Sequence, residues 1–562
     1  MLKMHPALLL SFTLTLGVEP AWARAGAKES AVEARHGMVA TVSPLASDVG
    51  RDILKKGGNA VDAAVATAFA LGVTYPQAGN IGGGGFMLIH PPHGGEPVVI
   101  DYREKAPAAA TPTMFAPKES QYSARVVGVP GTVRGLALAH QRFGKLPWRV
   151  VVQPAIDLAA HGFTLDENLA NSLNWIVLRG RQFPELRRVY GKSGGAEDWE
   201  AGDLLVLHDL AGTLRRIADH GPDAFYQGAI ADQLVAEMKA SGGLITREDL
   251  AAYEAKVRTP IHGTYRGYDI YAPPPPSSGG ICLVEMLNIL ENFDLRGQGR
   301  WSAATLHLMI EAMRRAYCDR ARFLGDQDFV TIPAHLTTKE YAKKLAIAID
   351  LDKATPSEAI APDIRLAREG TNTTHFSVID ADGLAVANTF TLERSYGSRL
   401  VVRGAGFLLN DEMNDFNWQP GVTDRKGAIG TPANVIAPGK RMLSSMTPTI
   451  VAKNGKVLLV TGSPGSRTII NTVLCVVLNV VDFDMGIRAA VDGPRLHHAW
   501  FPDEARFEGV RQYPDVVARL KQMGHKVEPT RQGDAHSIWV DPRTGHYLGA
   551  ADHRINGKAS GI

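Results

Sequence analysis

Residues 375–380 (HFSVID) and 384–392 (LAVANTFTL) read as two strands, and Ala381-Asp382-Gly383 stands between them as a turn. A three-residue loop with glycine in the left-handed position is a favoured hairpin connection, and its length sets the register. With 380 opposite 384, Thr373 falls opposite Thr391, both side chains on one face. Threonine pairs on strands ordinarily stabilise a sheet. As chemistry, a threonine oxygen is a weak nucleophile until a base activates it, and an N-terminal threonine can use its own α-amine. That amine has a pKa of about 7.7–8.0 in model peptides, suited to work near neutral pH. Thr373 is internal as translated, so this use requires the chain to cut itself between Asn372 and Thr373.

At 562 residues the chain can hold several ordinary domains or one large α/β unit. Its 45% hydrophobic and 21% charged residues describe a globular protein with ample core. A formal charge of +2 offers no electrostatic reason to expect nucleic acid or a membrane surface as partner. Lys3 and His5 precede an apolar run from Ala7 to Val18, and Ala21-Trp22-Ala23 supplies a small-x-small cleavage pattern. Residues 1–23 thus predict a secretory signal peptide and a periplasmic or secreted protein. The later run Ile469–Val481 is interrupted by Asn471 and Asn479 and reads as a buried helix, not a membrane span. Cys282, Cys318 and Cys475 show neither CxxC nor metal-ligand spacing and read as small buried side chains. No ligand pattern implies a metal or organic cofactor.

Residues 24–38 predict a loose lead-in strand. Asn59 caps an alanine-rich helix (AVDAAVATAFAL) that Gly72 should stop. Gly82 to Gly85 precede an apolar strand, FMLIH, without the spacing of a phosphate loop, so these glycines permit close backbone approach. Helical periodicity covers 128–142 and most of 150–256, and PPPPSSGG (273–280) is a stiff connector into the helix around 284–295. Ser302 starts a strong helix whose Arg314, Arg315, Arg320 and Arg322 read as a solvated face. Residues 335–370 turn polar and loop-rich, suiting a protease-accessible stretch. Beyond 373, strands are expected at 399–409, 447–452, 456–461 and near 536–550, with a helix from 467. A helix-rich first part and a strand-rich second part could be two domains or the layers of one sandwich.

Eight segments in order resemble the γ-glutamyltranspeptidases (glutathione hydrolases): 57–87, DYREKAP (101–107), GVPGTVRGLALAH (128–140), PPPPSSGG (273–280), TNTTHFSVID (371–380), LLNDEMNDF (408–416), LSSMTPTI (443–450) and TGSPGSRT (461–468). The resemblance runs from about residue 35 to the C-terminus. It implies an α+β, four-layer αββα sandwich of the N-terminal nucleophile hydrolase type. It also implies a self-cleaving precursor, with a large subunit (24–372) and a small subunit (373–562) held as a heterodimer. It makes Thr373 the nucleophile and Thr391 its hydrogen-bonding partner. Arg103, Ser444 and Ser445 match groups that take the α-carboxylate of a γ-glutamyl substrate, and Glu393, Glu412 and Asp415 match those that hold its α-ammonium.

The oxyanion hole falls on Gly465 and Ser466, where the family has a glycine pair. A backbone donor at Ser466 survives this departure provided φ stays negative. Position 393 is asparagine in many members, and glutamate here crowds three carboxylates that raise one another's pKa unless a cation is present. Residues 417–434 are long enough for a lid, in which Lys426 takes the place of an aromatic residue. The implied activity is cleavage of glutathione through a γ-glutamyl-threonine ester, resolved by water or by an amino acid or peptide acceptor. Two alternatives are a relative acting on glutaryl-β-lactam substrates and an inactive exported homologue. A glutaryl group has no α-ammonium, so the three acids argue against the first.

Overall fold

A computed structural model describes residues 30–361, 373–426 and 430–562. The strands that form its interior are β1 (Gly37–Thr41), β2 (Gly84–His90), β3 (Thr374–Asp380) and β4 (Ala385–Thr391) in one sheet, with β5 (Thr449–Lys453) and β6 (Lys456–Thr461) in another. The first sheet runs Lys558–Gly561, β1, β3, β4, β2, Val98–Asp101, Lys256–Arg258; the second runs Val32–Ala34, Tyr547–Ala550, Ser537–Val540, β6, β5, Tyr268–Ala272, Ile261–Tyr265. Their pairings are antiparallel.

Two-residue alternation builds the layers. Val39, Met87, Val378 and Val386 face outward into a core with α1 (Pro44–Lys55) and α2 (Ala60–Thr74). Their neighbours Met38, Ala40, Leu88, Ile379 and Ala387 face inward, against Ile450, Val460 and Ile538 of the second sheet. On the far side, Val451 and Leu459 pack against α3 (Gly279–Leu290), α4 (Ala303–Phe323) and α5 (Thr468–Val481). The result is helices, sheet, sheet, helices, as the resemblance implied. Strands from both sides of residue 373 enter both sheets, so the two-domain alternative is excluded, and residues 31–562 form one compact unit.

Several local expectations hold. Asn59 accepts from the amides of Val61 and Asp62, and Asp62 accepts from the Asn59 amide, a complete capping box. Ser302 caps α4, the 469–481 run is a buried helix, and all three cysteines are free and buried. Others need correction. α2 continues through Gly72 to Thr74, because one interior glycine costs only about 1 kcal/mol and this one packs against the Asn80 backbone. Residues 399–409 make no regular strand. Left-handed Arg399, Gly404 and Gly406 break the ladder and leave one bridge, Val401 with Leu408. The polar stretch after 335 contains a helix at Lys339–Ile347 capped by Thr338. The expected signal peptide and Asn372 lie outside the described residues, and no helix among those described is long and apolar enough to cross a membrane.

Candidate active site

The β3–β4 hairpin adopts the register read from its turn. Thr374 pairs with Phe390 and Ile379 with Ala385, while Gly383 takes φ +85° and the Asp380 carboxylate accepts from the amides of Asp382 and Leu384. One step outside the ladder, the Thr373 hydroxyl donates to Thr391 Oγ at 3.3 Å. Thr391 Oγ also accepts from the Glu393 amide at 2.8 Å, and its carbonyl accepts from Asn80 Nδ2 at 2.9 Å. The glycine run makes this approach possible: a Cβ at Gly83 would lie 2.0 Å from the Thr391 carbonyl oxygen, and one at Gly82 would lie 2.1 Å from that of Leu408. His375 follows on the same face of β3. Its ring bonds Thr389 and Ser377, and burial holds its pKa well below the usual value, so it is neutral.

Thr373 and Thr391 open into a small buried pocket also lined by Arg103, Arg320, Glu393, Glu412, Asp415, Ser444, Ser445 and Ser466. Every expected binding side chain is therefore brought to one place. Arg103 follows the strand Val98–Asp101, donates to Glu412 and Asp415, and reaches the carbonyl oxygens of Met442 and Leu443, each at 3.3 Å. A carboxylate guest for Arg103 thus competes with the pocket's own acids. Ligand-grade oxygens of Glu393, Glu412 and Asp415 lie within 4.8 Å of one another, a convergence that suits one small cation such as an ammonium. Glu393 Oε1 and Glu412 Oε2 are buried without a hydrogen-bond partner among the described residues. Burial pushes both carboxyls well above the usual range, with Arg103 opposing the shift. Glu393 also has φ +76°, a conformation that costs a non-glycine residue about 1–3 kcal/mol.

Two participants were not legible beforehand. Glu104, next to Arg103, is fully buried, and desolvation carries its pKa up to about 8 against the pull of the guanidinium. Arg320 corrects the expected solvated face of α4. It is 5% exposed, its Nε donates to Ser278 Oγ at 2.9 Å and its Nη2 to Ser445 Oγ at 3.0 Å. Arg314 and Arg315 are buried as well, paired with Glu311. α4 is enclosed on nearly all sides, so its charges are satisfied internally and not by water. Ser444 is placed by the proline-rich connector: Ser278 donates twice to its carbonyl, and its own amide donates to the Pro276 carbonyl.

The turn before α5 departs from expectation. Gly465 has φ +125° and Ser466 has φ +51°, so the condition of a negative φ at Ser466 is not met. Ser466 stays left-handed because the first turn of α5 starts there: the amides of Thr468 and Ile469 donate to the carbonyls of Gly465 and Ser466. Gly465 faces a second, larger cavity of about 370 Å³ that Thr373 also lines. In the segment expected as a lid, Trp418 stacks on Phe115 at 4.2 Å and Lys426 is exposed; residues 427–429 lie outside the described residues.

The family model described as Gamma-glutamyltranspeptidase matches residues 46–562. The glutathione hydrolase proenzyme of Escherichia coli (strain K12) is 49% identical over 535 residues, covering 93% of this chain and 91% of that protein. Among solved structures, the cephalosporin acylase from Bacillus halodurans superposes with a TM-score of 0.86 at 28% identity, over 97% of this chain and 99% of that one. The γ-glutamyltranspeptidase of Helicobacter pylori is 42% identical with a TM-score of 0.56, over 61% of this chain and 98% of that one.

Proposed function

This chain belongs to the gamma-glutamyltranspeptidase family, and from that premise we propose how its residues cleave the γ-glutamyl amide of glutathione and related compounds. It is a hydrolase and transferase made as a proenzyme. In our reading the bond between Asn372 and Thr373 is cut by the protein itself, leaving subunits of 24–372 and 373–562. Interleaving of strands from both sides of the cut in both sheets would keep the subunits together. A signal peptide at 1–23 would direct the precursor to the periplasm or outside.

The observation that carries the reading is the Thr373–Thr391 hydroxyl pair at the wall of a pocket holding Arg103 and three converging acids. Thr373 Oγ attacks the γ-carbonyl and its freed α-amine takes the proton. The amine product leaves with that proton, and water or an acceptor amine resolves the γ-glutamyl ester. Thr391 holds the nucleophilic oxygen in place. Arg103, Ser444 and Ser445 receive the α-carboxylate, while Glu393, Glu412 and Asp415 receive the α-ammonium. The backbone amide of Gly465 serves the developing oxyanion, while Ser466, at φ +51°, does not meet the condition set for a second donor. A glutaryl donor would leave the three acids without a cation, which favours the γ-glutamyl reading.

Denaturing electrophoresis with N-terminal sequencing tests the first step: a fragment beginning at Thr373 is expected, and one uncut band from an active preparation overturns it. Release of aniline from γ-glutamyl anilide faster than from glutaryl anilide is expected; the reverse order would support the acylase alternative.

A further inference from the structure

At the end of the sandwich away from Thr373, the two sheets part around a third cavity of about 370 Å³. The end of β2 and the loop after it, the β3–β4 turn, the β5–β6 turn and the hairpin of Ser537–Val540 with Tyr547–Ala550 each supply part of its wall. β3 is seven residues long, and at about 3.3 Å per residue Thr373 lies roughly 23 Å from this end. The floor is apolar. Ile379, Val457 and Tyr547 belong to the core between the sheets, and the Tyr547 hydroxyl already donates to the Asp380 carbonyl at 2.8 Å. A Cβ at Gly455 would lie 3.5 Å from Gly94 Cα, so the loop after β2 and the β5–β6 turn meet and close one side.

Three polar side chains on this cavity are unanswered. His90 is 3% exposed, and its Nδ1 stands 2.9 Å from the Pro91 carbonyl oxygen. A carbonyl only accepts, so Nδ1 carries the proton, and burial holds the ring's pKa below its usual value. Nε2 is therefore a lone-pair acceptor, and it has no partner among the described residues. At the exposed mouth stand Asp382, in the β3–β4 turn, and Lys456, at the start of β6. Neither side chain is in an ion pair among the described residues.

We propose that this cavity is a binding site for a free aromatic amino acid whose ring carries a hydrogen-bond donor, the chemistry of tryptophan and tyrosine. The ring N–H or O–H donates to His90 Nε2, and the ring faces lie on Ile379, Val457 and Tyr547. The carboxylate meets Lys456 and the ammonium meets Asp382. The volume is in the range of small-molecule sites, and an apolar wall with a few convergent polar groups is their usual make-up. A phosphate or a sugar would leave the apolar floor uncovered. A fatty carboxylate would cover it but leave His90 and Asp382 unanswered. The site goes beyond the γ-glutamyl reading and does not depend on it, because none of its groups lines the pocket of Thr373.

Calorimetric titration of the full-length protein with L-tryptophan tests this, beside three analogues that each lack one group. Tryptamine has no carboxylate, 3-indolepropionate no ammonium, and 1-methyl-L-tryptophan no ring N–H. Each is expected to bind about fivefold or more weakly than tryptophan. Lys456→Gln should weaken tryptophan and 3-indolepropionate about fivefold while leaving tryptamine unchanged, and Asp382→Asn should weaken tryptophan and tryptamine while leaving 3-indolepropionate unchanged. Both positions are exposed and distant from Thr373, so γ-glutamyl anilide release by these variants should match wild type; that assay reads the active site separately. No binding at millimolar tryptophan, or equal tryptophan affinity in wild type, Lys456→Gln and Asp382→Asn, overturns the proposal.

Discussion

Arg103 donates to both Glu412 and Asp415, so the cation and the anions matched to opposite ends of one substrate are already ion-paired with each other. Their pairing keeps a buried guanidinium and its acids from standing alone, which would cost about 3–5 kcal/mol if one partner were removed. A zwitterionic amino-acid end can replace both halves of that pairing at once, with its carboxylate on Arg103 and its ammonium among the acids. A substrate carrying only one of the two charges would leave half of the network unpaired.

The Thr391 hydroxyl takes a hydrogen bond from Thr373 and another from the Glu393 amide. Thr391→Val keeps the shape and removes both acceptor functions. Its kcat on γ-glutamyl anilide should fall about 10²-fold, with Thr391→Ser within about tenfold of wild type. Steady-state kinetics on fully processed enzyme checks this; a kcat within twofold for Thr391→Val would remove Thr391 from the mechanism.

Arg320 holds Ser445 and Ser278 in the pocket wall. Hydrogen bonds to charged groups contribute about 1.5–3 kcal/mol, so Arg320→Gln should raise the donor KM roughly tenfold or more. Lysine at this position lacks the fork that reaches both serines and should recover only part of the loss. Donor KM at fixed acceptor concentration is the measurement.

Glu104 carries a pKa of about 8 in the folded chain, above its ordinary unfolded value of about 4.3. The folded state therefore holds a proton that the unfolded state has released, and stability falls as pH rises from about 4.3 to about 8. Glu104→Gln removes that slope. Its Tm should change less than that of wild type between pH 5 and about pH 8, read by thermal melts in matched buffers. Equal slopes would place the Glu104 titration elsewhere.

Gly83 leaves no room for a side chain, since an added Cβ would sit 2.0 Å from the Thr391 carbonyl oxygen. Gly83→Ala must push β2 away from Thr391. It should lower Tm by several degrees and slow the appearance of the fragment beginning at Thr373, followed by electrophoresis over time.

Much of the local structure was legible in the chain itself. The β3–β4 register followed from a three-residue turn and two-residue alternation, and it put Thr373 opposite Thr391 before any distance was known. The Asn59 cap and the buried 469–481 helix were legible for the same reason: each depends on neighbours within a few residues. The ordered motifs carried Arg103, Glu412, Asp415, Ser444 and Ser445 to the same pocket. What only the tertiary structure decided rests on contacts across long stretches of sequence. Arg320 looked like a solvated face because periodicity reports one helix and not what encloses it; Ser278 and Ser445 turn it into part of the site. The raised pKa of Glu104 needs the burial that folding supplies, and the left-handed Ser466 is set by how α5 begins. The choice between two domains and one sandwich was likewise settled only when strands from both sides of Thr373 paired in the same sheets.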